Sequence, residues 1–201
     1  DYLYFKGEFD PNSSSFIPSP AHRLDRNTSG LIIYGKTDAG LKELTDLFKE
    51  RKNIAKYYLT LVKGDVSSNG KIDKPLYKDS LEGRVYIRKI EEGGKSALTK
   101  YKVINRYGEF TLLEAELCTG RTHQLRVHFA SIGHPIIGDD KYGDFSLNKK
   151  VEALTGLDSQ FLHAYKIKFG KLNGVLASLS NKEFISPLSE KYTQIIEKLT
   201  K

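Results

Sequence analysis

Three apolar segments joined by two short turns constrain the fold of this chain more than any other part of its sequence. The segments at 84–90, 97–106 and 110–118 have the composition and alternation typical of β-strands. The turns between them read EEGG at 91–94 and YG at 107–108. Strands joined by such short turns pair as antiparallel neighbours, so the sequence predicts a β-sheet as the main part of the fold.

Further strands and three helices are predicted around these segments. The additional strands are expected at 31–34, 56–62, 161–169 and 175–179, with the last two paired. The helices are expected at 38–52 with a cap at Thr37 or Asp38, at 122–132, and at 188–199. Strands outnumber helices and most follow one another through short turns, so we expect the α+β class with a large mixed sheet.

The size of the chain suits a single domain. With 201 residues and 39% hydrophobic content, it can bury one substantial core, so residues 1–201 are predicted to form one domain. No stretch approaches the ~18–20 apolar residues of a membrane helix, and the first residues lack the pattern of a signal peptide. The single cysteine, Cys118, excludes a disulfide framework and fits the reducing cytoplasm. Because methionine is absent, the sequence is expected to be a fragment of a longer protein.

The charge of the chain favours an anionic partner. Lys and Arg number 32 against 25 Asp and Glu, which leaves a net charge of +7. Such a surplus is typical of proteins that bind nucleic acid or an anionic membrane surface, but a basic protein without such a partner is equally compatible with it. The 12 Tyr and 10 Phe residues suit base stacking, although most of these rings are expected in the core.

One carboxylate lies among three basic side chains near the start of the chain. The segment HRLDRNTSG at 22–30 places Asp25 beside His22, Arg23 and Arg26. An acid in this setting can be a nucleophile, a base, or one half of a structural ion pair. By residue type alone the structural ion pair is the most frequent case, so all three interpretations remain open here.

A second basic segment, GRTHQLRVH at 120–128, places Arg121 and His123 at the start of a predicted helix. Cations at this end oppose the helix dipole by roughly 0.3–1 kcal/mol each unless an anion compensates. A protein carboxylate or a phosphate would compensate, whereas solvated side chains on an exposed first turn are the alternative.

Two adjacent tyrosines, Tyr57 and Tyr58, lie in the strand predicted at 56–62. Because side chains alternate along a strand, one ring should face the core and the other the opposite side. A tyrosine in a cleft can stack on a flipped base, although a buried structural tyrosine is more common.

An acidic loop, GHPIIGDDKYGD at 133–144, could suggest a divalent cation. Its carboxylates, Asp139, Asp140 and Asp144, lack the alternate spacing and closing Glu of a calcium loop. The histidines and the single cysteine make no zinc pattern either. We therefore expect a turn stabilised by Asp side chains and no metal, with a metal-dependent nuclease or phosphotransferase as a less favoured alternative.

Taken together, these segments resemble the RluA-type family of pseudouridine synthases. HRLDRNTSGL at 22–31 is similar to the family's active-site signature, and KYYLTLV at 56–62 to its second motif. RTHQLRVH at 121–128, followed by the Gly-rich loop at 133–139, resembles the third motif, and FLHA at 161–164 resembles a late strand. The similarity extends from Ala21 to Leu199.

The resemblance implies an enzyme and a set of site residues. Asp25 would be the catalytic carboxylate, Arg121 its ion-pair partner, and Tyr58 the ring that stacks on the detached uracil. The residues implied to contact or support the substrate are Leu125, Arg26, His22 and Arg23, with His22 bracing the Asp25 loop. Isomerisation of uridine adds no group, so neither a cofactor nor a metal is expected.

The resemblance also implies the fold and the substrate. It implies the pseudouridine synthase fold, with a mainly antiparallel sheet flanked by helices and loops around a central RNA-binding cleft. Within the family the chain is most similar to the RluC branch, so large-subunit ribosomal RNA is the expected partner of a cytoplasmic monomer. A Lys-Pro-x-Gly motif and an S4 RNA-binding domain, both expected upstream, are not in this sequence. The alternatives are a synthase acting on tRNA and a noncatalytic RNA-binding module.

Overall fold

The computed structural model describes residues 2–12 and 16–200. The strands within these residues are β1 (Ser19–Pro20), β2 (Ser29–Gly30), β3 (Tyr34–Gly35), β4 (Ile54–Lys63), β5 (Gly70–Asp73), β6 (Leu76–Asp79), β7 (Arg84–Ile87), β8 (Leu98–Tyr107), β9 (Phe110–Leu117), β10 (Leu162–Phe169) and β11 (Glu183–Ile185). The α-helices are α1 (Tyr2–Phe5), α2 (Asp38–Glu50), α3 (Gln124–Ala130), α4 (Phe145–Thr155) and α5 (Glu190–Leu199). Two 3₁₀ helices span Ile90–Glu92 and Gly174–Leu179.

One large sheet contains most of the strand residues. Its strands follow the order β11-β10-β4-β9-β8-β5, and β2 pairs with β10 in parallel. The pairs β10–β11, β4–β9, β8–β9 and β5–β8 are antiparallel, while β1–β3 and β6–β7 form two small separate ladders. The α+β class and the mainly antiparallel sheet predicted from the sequence are therefore confirmed.

Helices cover both faces of the sheet because side chains alternate along each strand. Tyr58 and Val62 of β4 lie in a hydrophobic cluster that includes Leu125 and Phe129 of α3. Leu61, on the opposite face of β4, belongs to a second cluster built with residues of α4 and α5. The helix α3, which contains the C-terminal part of the second basic segment, is thus held on the Tyr58 side of the sheet.

The chain divides into two compact units. The smaller unit consists of the residues up to Arg23, Ile32–Ile54 and Phe169–Lys182, and the larger consists of Leu24–Leu31, Ala55–Lys168 and the residues from Glu183 on. Within the smaller unit, α2 starts as predicted, because the Thr37 hydroxyl accepts a hydrogen bond from Gly40 N at 3.1 Å. None of the helices described in either unit is long and apolar enough to cross a membrane.

Two of the predicted strands are wrong. Residues 31–33 are irregular, because their backbone hydrogen bonds go to two different segments. Leu31 N donates to Ala164 O at 2.9 Å, and Ile33 O accepts from Ala21 N at 2.8 Å, so these residues do not form a continuous ladder with one strand. Residues 175–179 lie in a 3₁₀ helix of which only Leu176 is buried. The strand that pairs with β10 is instead β11.

Other elements differ from prediction in length or were not predicted. The strand β7 ends at Ile87 rather than residue 90, and α3 starts at Gln124 rather than Thr122. The strands β5 and β6 and the helix α4 were not predicted from sequence patterns. The sequence does contain a start signal for α4, since Asp is a favoured N-cap residue. In the structure Asp144 caps this helix and accepts a hydrogen bond from Leu147 N at 3.0 Å.

Candidate active site

Asp25 lies in a tight loop that precedes β2 in the larger unit. The loop closes through a hydrogen bond from Thr28 N to Asp25 O at 3.0 Å. Asn27 has a φ of 66°, a left-handed conformation that Asn tolerates better than most residues. Gly30 has a φ of 105° and lies so close to β10 that a Cβ would come within 2.3 Å of Ala164 O. The NTSG sequence after Asp25 is therefore suited to a loop held against β10.

The Asp25 loop is also fixed by buried side chains on and just before β10. Gln160, which is buried, donates a hydrogen bond from its amide to Arg26 O. The Ser29 hydroxyl lies 2.8 Å from Nδ1 of His163, whose Nε2 lies 2.8 Å from Ser186 O. Because a carbonyl oxygen can only accept, we assign Nε2 as the donor, and Ser29 then donates to Nδ1. Ser29 is thus a structural anchor of the loop.

The charge of Asp25 affects the pKa values of two basic side chains of the third motif. Burial lowers the pKa of His123, and the negative charge of Asp25 opposes this shift. Burial also acts to lower the pKa of Arg126, but the hydrogen bonds and charge of Asp139, with smaller contributions from Asp140 and Asp25, raise it overall. The structure therefore brings the signature carboxylate into the electrostatic environment of His123 and Arg126.

Arg126 is held rigidly by the acidic loop that follows α3. Its side chain is 6% exposed, and it forms a two-pronged ion pair with Asp139, with Nε–Oδ2 and Nη2–Oδ1 distances of 2.6 and 2.7 Å. Nη2 also donates to Asp140 Oδ1 at 2.8 Å. Asp139 Oδ1 in turn accepts from the backbone N–H groups of Lys141 and Tyr142, both at 2.8 Å. The acidic loop is thus the Asp-stabilised turn that was predicted, and it orients Arg126.

The expected ion pair between Arg121 and Asp25 does not form within the described ranges 2–12 and 16–200. Arg121 is exposed, and its Nε donates to Ser96 O at 3.1 Å. Because α3 starts only at Gln124, Arg121 lies in the preceding loop, where its backbone N donates to the Gln124 side chain at 3.0 Å. The ion pair expected from the resemblance is therefore not observed between these two side chains, and the negative charge of Asp25 instead makes a small contribution to the raised pKa of Arg126.

Tyr58 and Leu125 share a hydrophobic cluster with the neighbour of Asp25. Both are buried, with Leu24 packed against the same cluster. Tyr57 faces the other side of β4, where the Lys166 ammonium lies 4.4 Å from its ring centroid. The predicted division of the two tyrosines between core and opposite face is thus observed, and Tyr58 is the ring on the Leu125 side.

The remaining predicted residues lie outside this cluster. Arg23 and Arg26 are exposed, which leaves their predicted contacts with substrate open to experiment. His22 lies in the smaller unit, where its Nε2 accepts from Ile33 N at 3.1 Å and its ring packs on Phe48 with centroids 4.3 Å apart. These contacts give His22 a structural role in that unit.

A contact between His123 and Tyr142 was not predicted from the sequence. The Tyr142 hydroxyl lies 2.8 Å from His123 Nδ1 and accepts a hydrogen bond from Val85 N at 2.9 Å. Its ring lies near two guanidinium groups, with centroid distances of 5.3 Å to Arg126 and 5.5 Å to Arg84. Because the partners of Tyr142 are distant in sequence, no local pattern predicts this contact. The one local indication was that Tyr142 follows the two adjacent aspartates of the acidic loop.

The acidic side chains of the loop are engaged elsewhere and do not form a metal site. Asp139 is paired with Arg126, and Asp144 caps α4 and forms an ion pair with Lys63 at 2.7 Å. Across the part of the chain that the structure describes, no group of three or more His, Cys, Asp or Glu side chains could hold a metal ion. The metal-dependent nuclease alternative therefore has no site in these residues.

Comparisons with known sequences agree with the motif assignments. The family model described as RNA pseudouridylate synthase matches residues 4–131. Proteins named ribosomal large subunit pseudouridine synthase C from Pasteurella multocida (strain Pm70) and Escherichia coli (strain K12) are each 43% identical, over 149 and 150 residues. These matches cover 74% of this chain but 45% and 47% of the relatives, so the chain spans about half their length.

Solved structures share the fold. The structure titled "Human RNA Pseudouridylate Synthase Domain Containing 4" matches with a TM-score of 0.72 and 22% identity, over 90% of this chain and 76% of that chain. "Human RNA Pseudouridylate Synthase Domain Containing 1" matches with a TM-score of 0.66 and 28% identity, over 90% and 80% of the two chains.

Proposed function

Because this chain belongs to the RNA pseudouridylate synthase family, we propose that it isomerises specific uridines in RNA to pseudouridine, with Asp25 as the catalytic carboxylate. The observation that carries this proposal is the placement of Asp25. It is half-buried in a rigid loop, and its charge acts on His123 and Arg126. A noncatalytic RNA-binding module would have no need of a fixed carboxylate facing an anionic ligand.

The reaction rearranges bonds within one nucleotide. The bond between ribose C1′ and uracil N1 breaks, the base rotates, C5 joins C1′, the proton on C5 leaves, and N1 gains a proton. Nothing is oxidised or added, so the proposal requires no cofactor and no metal. Asp25 starts the reaction at the ribose, either by attacking C1′ or by removing the 2′ proton, and both routes use its carboxylate.

Arg126 and His123 act on Asp25 rather than on the base in this proposal. The guanidinium of Arg126 is fixed by Asp139, so it presents its positive charge to Asp25 at no cost in side-chain freedom at the moment of reaction. The burial that lowers the pKa of His123 favours its neutral form at pH 7. A neutral imidazole whose Nδ1 is held by Tyr142 can orient a hydrogen bond without adding a second full charge.

Tyr58 and Leu125 form the apolar wall of the proposed base pocket. The target uridine must leave its stack to reach Asp25, at a cost of a few kcal/mol. A ring and an aliphatic side chain beside Asp25 compensate for part of this cost by contacting the base. The exposed Arg23 and Arg26, which flank Asp25, are proposed to bind the backbone of the RNA near the flipped nucleotide.

We propose large-subunit ribosomal RNA as the substrate, in place of tRNA. This choice is supported by the names of the curated relatives and by the net charge of +7, which suits a polyanion. We also propose that residues 1–201 act together as a catalytic domain, as a monomer in the cytoplasm. Light scattering of the purified chain with and without RNA would measure its oligomeric state.

The first experiment measures tritium release from RNA that contains C5-labelled uridine. The chain should release tritium, because C5 loses its hydrogen when it joins C1′. Asp25→Asn and Asp25→Ala should release none while keeping RNA affinity within a few-fold of the parent chain. Release by either variant at the parent rate would refute the assignment of Asp25, and RNA binding without release by the parent chain would favour the noncatalytic module.

A second experiment tests the substrate. Unmodified large-subunit ribosomal RNA and unmodified tRNA are incubated with the chain, and pseudouridine positions are mapped by chemical labelling and primer extension. Modification of discrete sites in ribosomal RNA alone would support the proposal, and discrete sites in tRNA alone would overturn the choice of substrate.

A further inference from the structure

A second pocket lies in the larger unit beside the loop that leads into α3. It has a volume of about 430 Å³, within the range of ~300–1,000 Å³ typical of ligand sites. One side is formed by residues of the β6–β7 hairpin, and the other by Gly120, Arg121 and Thr122. Because Thr122 directly precedes His123, this pocket adjoins the backbone of the proposed active site.

The lining of the pocket is basic. Lys78, Lys95 and Arg121 line it, and within the described residues no carboxylate does. All three side chains are exposed, and in the same residues none of them forms an ion pair with an acid. Three unneutralised cations around one concave surface repel one another, and an anion bound between them would relieve that repulsion.

Several contacts fix the walls of this pocket in place. The Arg121 side chain is anchored by its Nε to Ser96 O at 3.1 Å. Tyr77, on the hairpin, is held by the guanidinium of Arg88, which lies 3.9 Å from the ring centroid. The floor is apolar, because Leu76 and Val85 belong to a buried cluster with Val127 of α3. A pocket with an aromatic wall, an apolar floor and a cationic rim suits a sugar and base with an attached phosphate.

We propose that this pocket binds a nucleotide of the RNA strand that flanks the target uridine, with its phosphate held by Arg121, Lys78 and Lys95. The proposal rests on the proposed function, because the pocket is useful only next to a uridine held at Asp25. It assigns to Arg121 a role in substrate binding rather than in pairing with the catalytic carboxylate. The guanidinium can offer two parallel donors to a phosphate, and each lysine acts as a point charge.

The first test compares two triple variants with equal loss of charge. The pocket variant carries Lys78→Gln, Lys95→Gln and Arg121→Gln, and the control carries Lys150→Gln, Lys191→Gln and Lys198→Gln. The control lysines are exposed on α4 and α5, which pack on the sheet face opposite α3. Dissociation constants for uridine-containing RNA are measured from 50 to 300 mM salt, and the rate of tritium release is measured over a range of RNA concentrations up to saturation.

The pocket variant should show a shallower salt dependence than the control. Loss of the contact with one phosphate of a single strand reduces the slope of log Kd against log salt by about 0.7. KM should rise by an order of magnitude or more, while kcat at saturating RNA stays within a few-fold of the parent chain. A pocket variant with the salt slope and KM of the control would overturn the proposal.

A second test locates the phosphate on the RNA. Methylphosphonate groups, which are neutral, replace the phosphates one at a time around the target uridine. The parent chain should lose affinity at one or two flanking positions, and the pocket variant should be insensitive at these same positions. Equal sensitivity of both proteins there would overturn the proposal even if the parent chain is active. Absence of tritium release by the parent chain would instead overturn the proposed function, so the two failures are distinguishable.

Discussion

Asp139 and Asp140 bind the same guanidinium but differ greatly in exposure. Their Oδ1 atoms lie 2.7 and 2.8 Å from Nη2 of Arg126, yet the Asp139 side chain is 1% exposed and that of Asp140 is 76% exposed. A buried charge that loses its partner keeps its full desolvation penalty, whereas an exposed charge regains water. The burial of each acid therefore decides how much its contact with Arg126 stabilises the fold.

The Arg126→Met variant should be destabilised by about 3–5 kcal/mol, because it leaves Asp139 buried without a counter-charge. The Asp140→Ala variant removes an ion pair of similar length and should change stability by about 0–1 kcal/mol. Urea unfolding followed by circular dichroism measures both values. Equal effects of the two substitutions would contradict the role that we assign to burial.

The Tyr142 hydroxyl connects His123 to the β6–β7 hairpin through the N–H of Val85. Tyr142→Phe should lower stability by about 1–3 kcal/mol, since the N–H of the buried Val85 loses its acceptor. It should also lower kcat with little change in KM, because His123 loses the partner of its Nδ1. Tyr86→Phe is the matched control, since Tyr86 is exposed and its hydroxyl donates a hydrogen bond to the Glu82 carboxylate. A fall in stability with an unchanged kcat would show that Tyr142 is structural alone.

The elements that sequence patterns predicted well are those whose burial alternates locally. The strand β4 shows alternating burial from Lys56 to Thr60, and α2 buries Leu44 and Phe48 on one face. By contrast, α4 buries only Val151, while Phe145 and Leu154 are more than half exposed, so its apolar residues gave no helical stripe. A local pattern predicts an element only where the tertiary structure uses one of its faces uniformly.

Prediction of the candidate active site from local sequence patterns is limited in the same way. Motif similarity predicted site roles for Asp25, Tyr58 and Leu125, and the structure places the last two in the cluster against which Leu24, the neighbour of Asp25, packs. It predicted the ion pair with Asp25 for Arg121 rather than Arg126, although both lie in one nine-residue segment and the positions of their side chains depend on where α3 begins. Which arginine is buried is decided by Asp139, a tertiary contact that the spacing of residues does not reveal.

The helix α3 should make the stability of the larger unit depend on pH. Burial lowers the pKa values of both His123 and His128 below their ordinary value of 6.5. His128 is fully buried, with its Nε2 2.9 Å from Lys74 O and its Nδ1 2.9 Å from Thr99 Oγ1, an arrangement that suits the neutral ring. As pH falls below 6.5, the unfolded chain takes up protons on these residues before the folded chain does, so the free energy of unfolding decreases.

Urea unfolding at pH 7.5, 6.5 and 5.5 measures this dependence. His128→Gln should unfold more easily at pH 7.5, since the buried network loses a partner, but its stability should fall less between pH 7.5 and 5.5. The comparison is made within each protein, so the lower stability of the variant does not obscure it. Identical pH dependence in the parent chain and the variant would show that His128 does not contribute.

The surplus of positive charge and the buried ion pair should respond differently to salt. The chain has a net charge of +7, and most of its lysines are exposed. Interactions of exposed lysines with RNA phosphates compete with dissolved counterions. The Arg126–Asp139 pair is almost fully buried and is screened far less. Salt should therefore weaken RNA binding strongly while affecting the fold only slightly.

Raising salt from 50 to 200 mM should weaken RNA binding by about 20-fold if roughly three phosphates are contacted in a single strand. Over the same range the free energy of unfolding should change by less than about 1 kcal/mol, since exposed ion pairs contribute little. Fluorescence anisotropy with labelled RNA and urea unfolding in the same buffers give the two quantities. If affinity stayed constant while stability changed, the excess charge would serve the fold rather than the RNA, and the basic surface would lose its proposed role in binding.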